Sequence, residues 1–249
     1  MMHTIQQTVE IFHLLFLRQL ESSLDKKLYA LKGGCNLRFF FKSIRYSEDI
    51  DFDVSIISKE TLENKVNKIL KGDVFKRILQ GKDIEIAQTS SSKQTTTTQR
   101  WKVLLNIKGA TLPVPTKIEF SRREMDKGVE YVAIDADILR QYKLYPLICN
   151  HYNLNTAFLQ KVNALINRTE TQARDIFDLD LLLQQGATSD LNLFTSEDIQ
   201  TAIKNAEGVS YNDFKGQVYA YLMDQYKQLY DSSDKWETMR NNVIKILQG

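Results

Sequence analysis

Ile5, Val9, Phe12, Phe16, Leu20 and Leu24 recur at steps of three and four, which lays them along one face of a helix. Residues 28–31 then read as a short strand that runs into the Gly33–Gly34 turn, and 36–41 as the first turns of a second helix. From 47 to 55 the period changes to two. Ile50, Phe52 and Val54 alternate with Asp49, Asp51 and Asp53, the signature of a strand. An amphipathic helix is predicted over 59–70 and a strand over 83–87. The polar stretch 89–100, TSSSKQTTTTQR, reads equally as a loop or as a hairpin, because threonine favours strands. Alternation returns at Trp101, Val103, Leu105 and Ile107 and again over 117–121. The middle of the chain is therefore a sheet, largely antiparallel because its connections are short.

From about Asp135 onward the pattern is helical. Helices are predicted over 158–167, 169–183, 196–205, 211–230 and 235–247. Thr169 and Gln172 have the spacing of a capping box for the second of these, and Gly186 closes it. The chain reads as α+β in its first half and all-α in its second, with no internal repeat.

A length of 249 residues suits one large domain or two small ones sharing a core. The formal net charge is only +2, weaker than a dedicated nucleic-acid binder usually shows, although a local basic face is compatible with it. Cys35 and Cys149 are too few for a disulfide framework and are expected to be reduced core thiols of a cytoplasmic protein. The apolar run 11–17 is too short to span a bilayer. It has no basic region before it and no small-residue cleavage site after it, so neither a membrane anchor nor a secretory signal is expected.

The chemistry concentrates on acids. Asp49 and Asp51, two apart on a strand, project from one face; they repel each other unless a cation sits between them, and such oxygen ligands suit Mg²⁺. The plainer reading is a solvated acidic edge, and Asp53 is taken as an exposed acid of that kind. A two-metal site needs a third acid, for which Glu119 on a second alternating segment is the candidate. Gly33 and Gly34 permit a phosphate to approach the backbone, and a helix starting just after them offers free N–H groups. Ser47 and Arg45 either add phosphate contacts or are ordinary surface residues. Lys161 and Arg168, seven apart, lie near one helix face, and Arg174, Asp175 and Asp178 follow in an apolar helix where acids need partners. This second group is either an ion-pair network between two helices or a place where Lys161 meets a triphosphate and Asp178 orients it. His3, His13 and His151 show no metal spacing, and the chain has no Walker loop, zinc motif or nucleophile elbow.

Three runs of this sequence resemble the motifs of the AbiEii/AbiGii toxin family of nucleotidyltransferases. They are KGGCNLRFFFKSIRYSEDIDFDV at 32–54, KIEFSRRE at 117–124 and QKVNALINRTETQARDIFDLDLLL at 160–183, in the family's order. Two departures affect packing and turn shape and leave the acids untouched: Cys35–Asn36 stands where a small residue or threonine is usual, and 42–44 replaces the common Gly-Leu-Pro turn. The C-terminal helices after 183 carry no motif that can be named. The resemblance implies a polymerase-β-like α+β fold, a mixed sheet flanked by helices in 1–134, followed by a C-terminal helical bundle in 135–249 that contributes to the active-site cleft. It implies transfer of an NMP from an NTP to an acceptor hydroxyl, with RNA (the tRNA 3′ end) as acceptor, by a toxin held in check by an antitoxin. Asp49, Asp51 and Glu119 would bind Mg²⁺ or Mn²⁺. Gly33, Gly34 and Ser47 would cradle phosphates, with Arg45, Arg168 and Asp175 completing the nucleotide site, and Lys161 with Asp178 would serve the catalytic step. The near-neutral charge leaves room for a protein or small-molecule acceptor, and a non-catalytic binding role on the same fold is the remaining alternative.

Overall fold

A computed structural model of the chain describes residues 3–188 and 190–249. Helix α1 (Ile5–Ser23) is started by a capping box between Thr4 and Gln7. A single 3₁₀ turn leads into β1 (Tyr29–Lys32), which is followed directly by α2 (Gly33–Phe40) and then by β2 (Ile50–Val54). Next come α3 (Lys59–Lys71), α4 (Asp73–Gln80), β3 (Ile84–Gln94), β4 (Thr98–Ile107), β5 (Val114–Ser121), β6 (Val129–Ala133), α5 (Ala136–Gln141) and β7 (Ile148–Tyr152). The polar stretch 89–100 is a hairpin, since β3 and β4 pair antiparallel through it.

The seven strands form one mixed sheet in the order β3-β4-β5-β2-β1-β7-β6. Two neighbouring pairs are parallel, β2 with β5 and β1 with β7; the other four are antiparallel. The alternation read from the sequence sorts the strands' faces. Ile50, Phe52, Trp101, Ile118 and Phe120 are fully buried. Phe52 stacks on Phe120 with ring centroids 4.8 Å apart, and Phe16 of α1 and Tyr29 of β1 meet the same ring. Phe12 packs on Phe75 of α4, and the Trp101 indole donates to Asn67 of α3 at 3.0 Å, so α1, α3 and α4 cover this face.

Compact packing divides the chain into two units. One holds the chain to Phe40 together with Tyr46–Tyr152; the other holds Phe41–Arg45 and Asn153–Gly249. Strand β7 thus extends the sheet beyond residue 135, where the pattern predicts only helix. Its sequence, ICNHY, hides the strand because its polar side chains are buried: Asn150 donates to the Lys26 carbonyl and the His151 ring bonds Asn36 at 2.9 Å.

The second unit contains α6 (Leu154–Asn167), α7 (Ala173–Gln184), α8 (Ser196–Glu207), α9 (Tyr211–Gln217), α10 (Asp224–Tyr230) and α11 (Ser233–Gln248). The rings of Phe177, Phe214 and Trp236 form its aromatic core. Two expectations fail here. The capping box at Thr169 does not form: α7 begins at Ala173, and the Gln172 side chain instead accepts from Arg168 and Arg174, both at 2.6 Å. The helix predicted over 211–230 is broken, because Leu222 bridges to Arg45 and the Met223 N–H donates to the Ile44 carbonyl. Gly186, at φ +85°, does close α7. Among the described residues no helix is long and apolar enough to cross a membrane.

Phe52 stands at the centre of the ring cluster beneath the strand that carries the aspartates. Phe52→Ala is expected to lower stability by about 3–5 kcal/mol, read from urea unfolding.

Candidate active site

The face of the sheet opposite the aromatic cluster carries charge in register. Asp51 of β2 pairs with Glu119 of β5 on one side and with Lys32 of β1 on the other; Glu119 in turn pairs with Arg100 of β4. Four adjacent strands therefore present Lys32, Asp51, Glu119 and Arg100 as one row. Glu119 is drawn to its outer neighbour, with Arg100 Nε 2.5 Å from Oε2.

Asp49 immediately precedes β2 and lies beside Lys117. Its Oδ1 accepts from the Lys117 backbone N–H at 3.0 Å, and its Oδ2 is 2.7 Å from Lys117 Nζ. Burial raises the Asp49 carboxyl above its ordinary pKa, and the two contacts from Lys117 only partly oppose this. Asp53, expected to be exposed, is buried: Lys32 Nζ lies 2.5 Å from one oxygen and the Tyr152 hydroxyl donates to the other at 2.9 Å. Lys32 and Tyr152 thus satisfy both oxygens of a carboxylate that is almost shut off from water.

The glycine pair meets this row of acids. Helix α2 starts at Gly33 itself, one turn earlier than the apolar pattern predicts. Gly33 has φ +66°, and a Cβ there would lie 2.7 Å from Asp51 Oδ2. Only glycine fits both demands, so the start of α2 comes against Asp51 with no side chain between. The Ser47 hydroxyl is spent on the Asp49 carbonyl at 2.8 Å, which pins the segment that presents that acid. Beneath it, His13 is wholly buried and bonded to Thr116 at 2.8 Å, and Thr116 donates to the Glu48 carbonyl. Burial pushes the imidazole down to about 3, so His13 is a neutral strut.

In the helical unit the second cluster is the ion-pair network. Arg45 grips Asp178 with both ends of its guanidinium, Nε to Oδ1 at 2.7 Å and Nη2 to Oδ2 at 2.5 Å. Lys161 Nζ bridges Asp178 at 2.6 Å and Asp175 at 3.0 Å, and Arg168 Nε is 2.9 Å from Asp175. Both acids are fully buried. For Asp178, burial opposes ionisation but Arg45 and Lys161 outweigh it, holding the carboxyl below its ordinary range.

The oxygen donors Asp49, Asp51 and Glu119 fit a hard divalent cation such as Mg²⁺ or Mn²⁺ in kind, and Asp51 and Glu119 are also register partners. Asp49 and Glu119 are engaged by Lys117 and Arg100 here, and among the described residues no three His, Cys, Asp or Glu side chains are gathered as a metal cluster. Lys32, Lys117 and Arg100 are not among the residues expected from the sequence. The signal for Lys117 is the same two-residue period, which puts it beside Glu119 on one face, whereas Lys32 and Arg100 come in through cross-strand register.

A sequence model described as nucleotidyl transferase AbiEii toxin, type IV TA system, matches residues 15–243. No curated protein matches the chain. JHP933 from Helicobacter pylori superposes over 100% of this chain and 95% of its own, with TM-score 0.60 and 19% identity. MenT4, a nucleotidyltransferase toxin from Mycobacterium tuberculosis H37Rv, covers 98% and 95% respectively, with TM-score 0.60 and 14% identity. At such identities the likeness is one of fold.

Gly33→Ala is expected to cost about 1–2 kcal/mol from the left-handed backbone alone, and more from the collision with Asp51, in thermal melts. Asp178→Asn removes the carboxylate that Arg45 and Lys161 share, leaving Lys161 with Asp175, and is expected to cost about 3–5 kcal/mol at neutral pH. The Asp178 pKa is depressed on folding, so its contribution is complete above the unfolded value near 4 and is lost as pH falls through the lower folded value. The gap between wild type and this variant should therefore be widest above about pH 4 and narrow below it, in urea titrations across pH.

Proposed function

The chain belongs to the AbiEii family of nucleotidyl transferase toxins of type IV toxin–antitoxin systems, and on that footing we propose that it transfers an NMP from an NTP to the 3′ end of an RNA, tRNA being the acceptor class. The observation that carries this reading is the register of β2 on β5, which makes Asp51 and Glu119 neighbours, with Asp49 two residues away and Gly33 against Asp51. Asp49, Asp51 and Glu119 are assigned as ligands of Mg²⁺ or Mn²⁺. When bound, the ion would neutralise phosphate charge and favour ionisation of the attacking hydroxyl.

The chain's own groups supply the rest. The bare Gly33–Gly34 start of α2 offers backbone N–H groups to phosphate oxygens. Ser47 holds Asp49 at the strand entrance. The network of Arg45, Lys161, Arg168, Asp175 and Asp178 sets three cations against two anions, an excess that suits a phosphate. Lys161 and Arg168 are assigned to phosphate oxygens, and Asp175 and Asp178 to holding Lys161 in place. Arg45 is so fully engaged by Asp178 that its assignment moves from nucleotide contact to support of the network. A cognate antitoxin and a cytoplasmic setting belong to the same reading.

The test is incubation with each labelled NTP, Mg²⁺ and total tRNA, followed by separation of RNA from protein. Label is expected on RNA, reduced about a hundredfold or more in Asp51→Asn. Label on protein would transfer the reading to a protein acceptor, which the modest net charge of +2 also accommodates. No label in any fraction would reject it.

A further inference from the structure

Asp49 and Glu119, both assigned to the metal, each meet a basic side chain, Lys117 and Arg100 respectively, and Lys117 makes two contacts that differ in how firmly they are fixed. Lys117 holds Asp49 twice: its backbone N–H reaches Oδ1 at 3.0 Å and its Nζ reaches Oδ2 at 2.7 Å. The backbone contact is locked by the pairing of β5 with β4 and β2. The ammonium contact is not. The Lys117 side chain is 42% exposed on a flexible stem, while Asp49 is 20% exposed. One acidic oxygen is therefore oriented by the fold, and the other is occupied by a charge that can swing into solvent.

We propose that the Lys117 ammonium is a resident counter-cation of Asp49 that a divalent ion must displace, so that Lys117 sets the affinity of the metal site. This rests on the assignment of Asp49 as a metal ligand. Asp51 and Glu119 are register partners with Asp49 two residues away, three neighbouring carboxylates that repel one another, and Lys117 and Arg100 relieve that repulsion when no metal is bound. The same relief works against the incoming ion, since Lys117 Nζ and the ion compete for Oδ2. The backbone N–H keeps Asp49 aimed whichever of the two is bound. Lys117 is thus a positioning residue of a particular kind: its main chain orients the ligand and its side chain tunes how tightly the ligand binds.

The two contributions separate by substitution. Lys117→Gln removes the ammonium and leaves the backbone contact; Lys117→Arg retains the positive charge. Mn²⁺ binding to the full chain, without nucleotide and at one fixed pH, is measured by the EPR signal of free Mn²⁺. Lys117→Gln is expected to bind Mn²⁺ roughly tenfold more tightly than wild type. Lys117→Arg is expected to stay close to wild type. Lys108→Gln serves as the control, because its partner Asp83 is an exposed residue away from the acids and Lys108 lies 3.5 Å from it. Thermal melts confirm that each variant is folded. Unchanged or weaker Mn²⁺ binding in Lys117→Gln, with wild type binding normally, overturns this inference and leaves the metal assignment standing. If wild type binds no Mn²⁺, or binds it equally well as Asp49→Asn, the metal assignment itself falls and this inference with it.

Discussion

The arrangement depends on placing like charges side by side. Asp51 and Glu119 are register partners on adjacent parallel strands, where two carboxylates are mutually unfavourable. The sheet tolerates them because bases flank the row. Lys32 lies on the far side of Asp51, Arg100 on the far side of Glu119, and Lys117 grips Asp49. The repulsion among the acids is offset by basic neighbours that are part of the same sheet. The opposite face supplies the rigidity, with Phe52 and Phe120 stacked directly beneath the acids they alternate with.

The two clusters handle charge differently. In the sheet, the acids remain partly open: Asp49 and Glu119 keep 20% and 25% of their side-chain surface. In the helical unit, Asp175 and Asp178 have none and are matched by Arg45, Lys161 and Arg168. Acids left partly open keep access to solvent. Closed ones act as fixed scaffolding, which suits residues that hold a lysine in one position.

Much of this was legible because strand chemistry is periodic. The alternation at 47–55 and 117–121 marked both acid-bearing strands and the face each acid takes. It could not give register, which is set by pairing across residues far apart in sequence, so Lys32 and Arg100 went unnoticed as neighbours of Asp51 and Glu119. Asp53 obeyed the same period but met a different fate, since Lys32 and Tyr152 come to it from elsewhere in the chain. The helix boundaries that failed did so where side chains had better offers: Gln172 was taken by two arginines, and Leu222 left its helix to pair with Arg45. Strand β7 was masked by polar residues whose partners lie more than a hundred positions away.

The short segment Phe41–Arg45 belongs with the helices, while the residues on either side of it belong with the sheet. The polypeptide therefore passes from one unit to the other three times, not once. No single cut yields two whole pieces. Severing the chain after Tyr152 would put Arg45 and Asp178 on different fragments and separate that ion pair. The architecture is two units by packing but one unit by inheritance: neither can be exchanged, deleted or borrowed without taking five residues from the middle of the other.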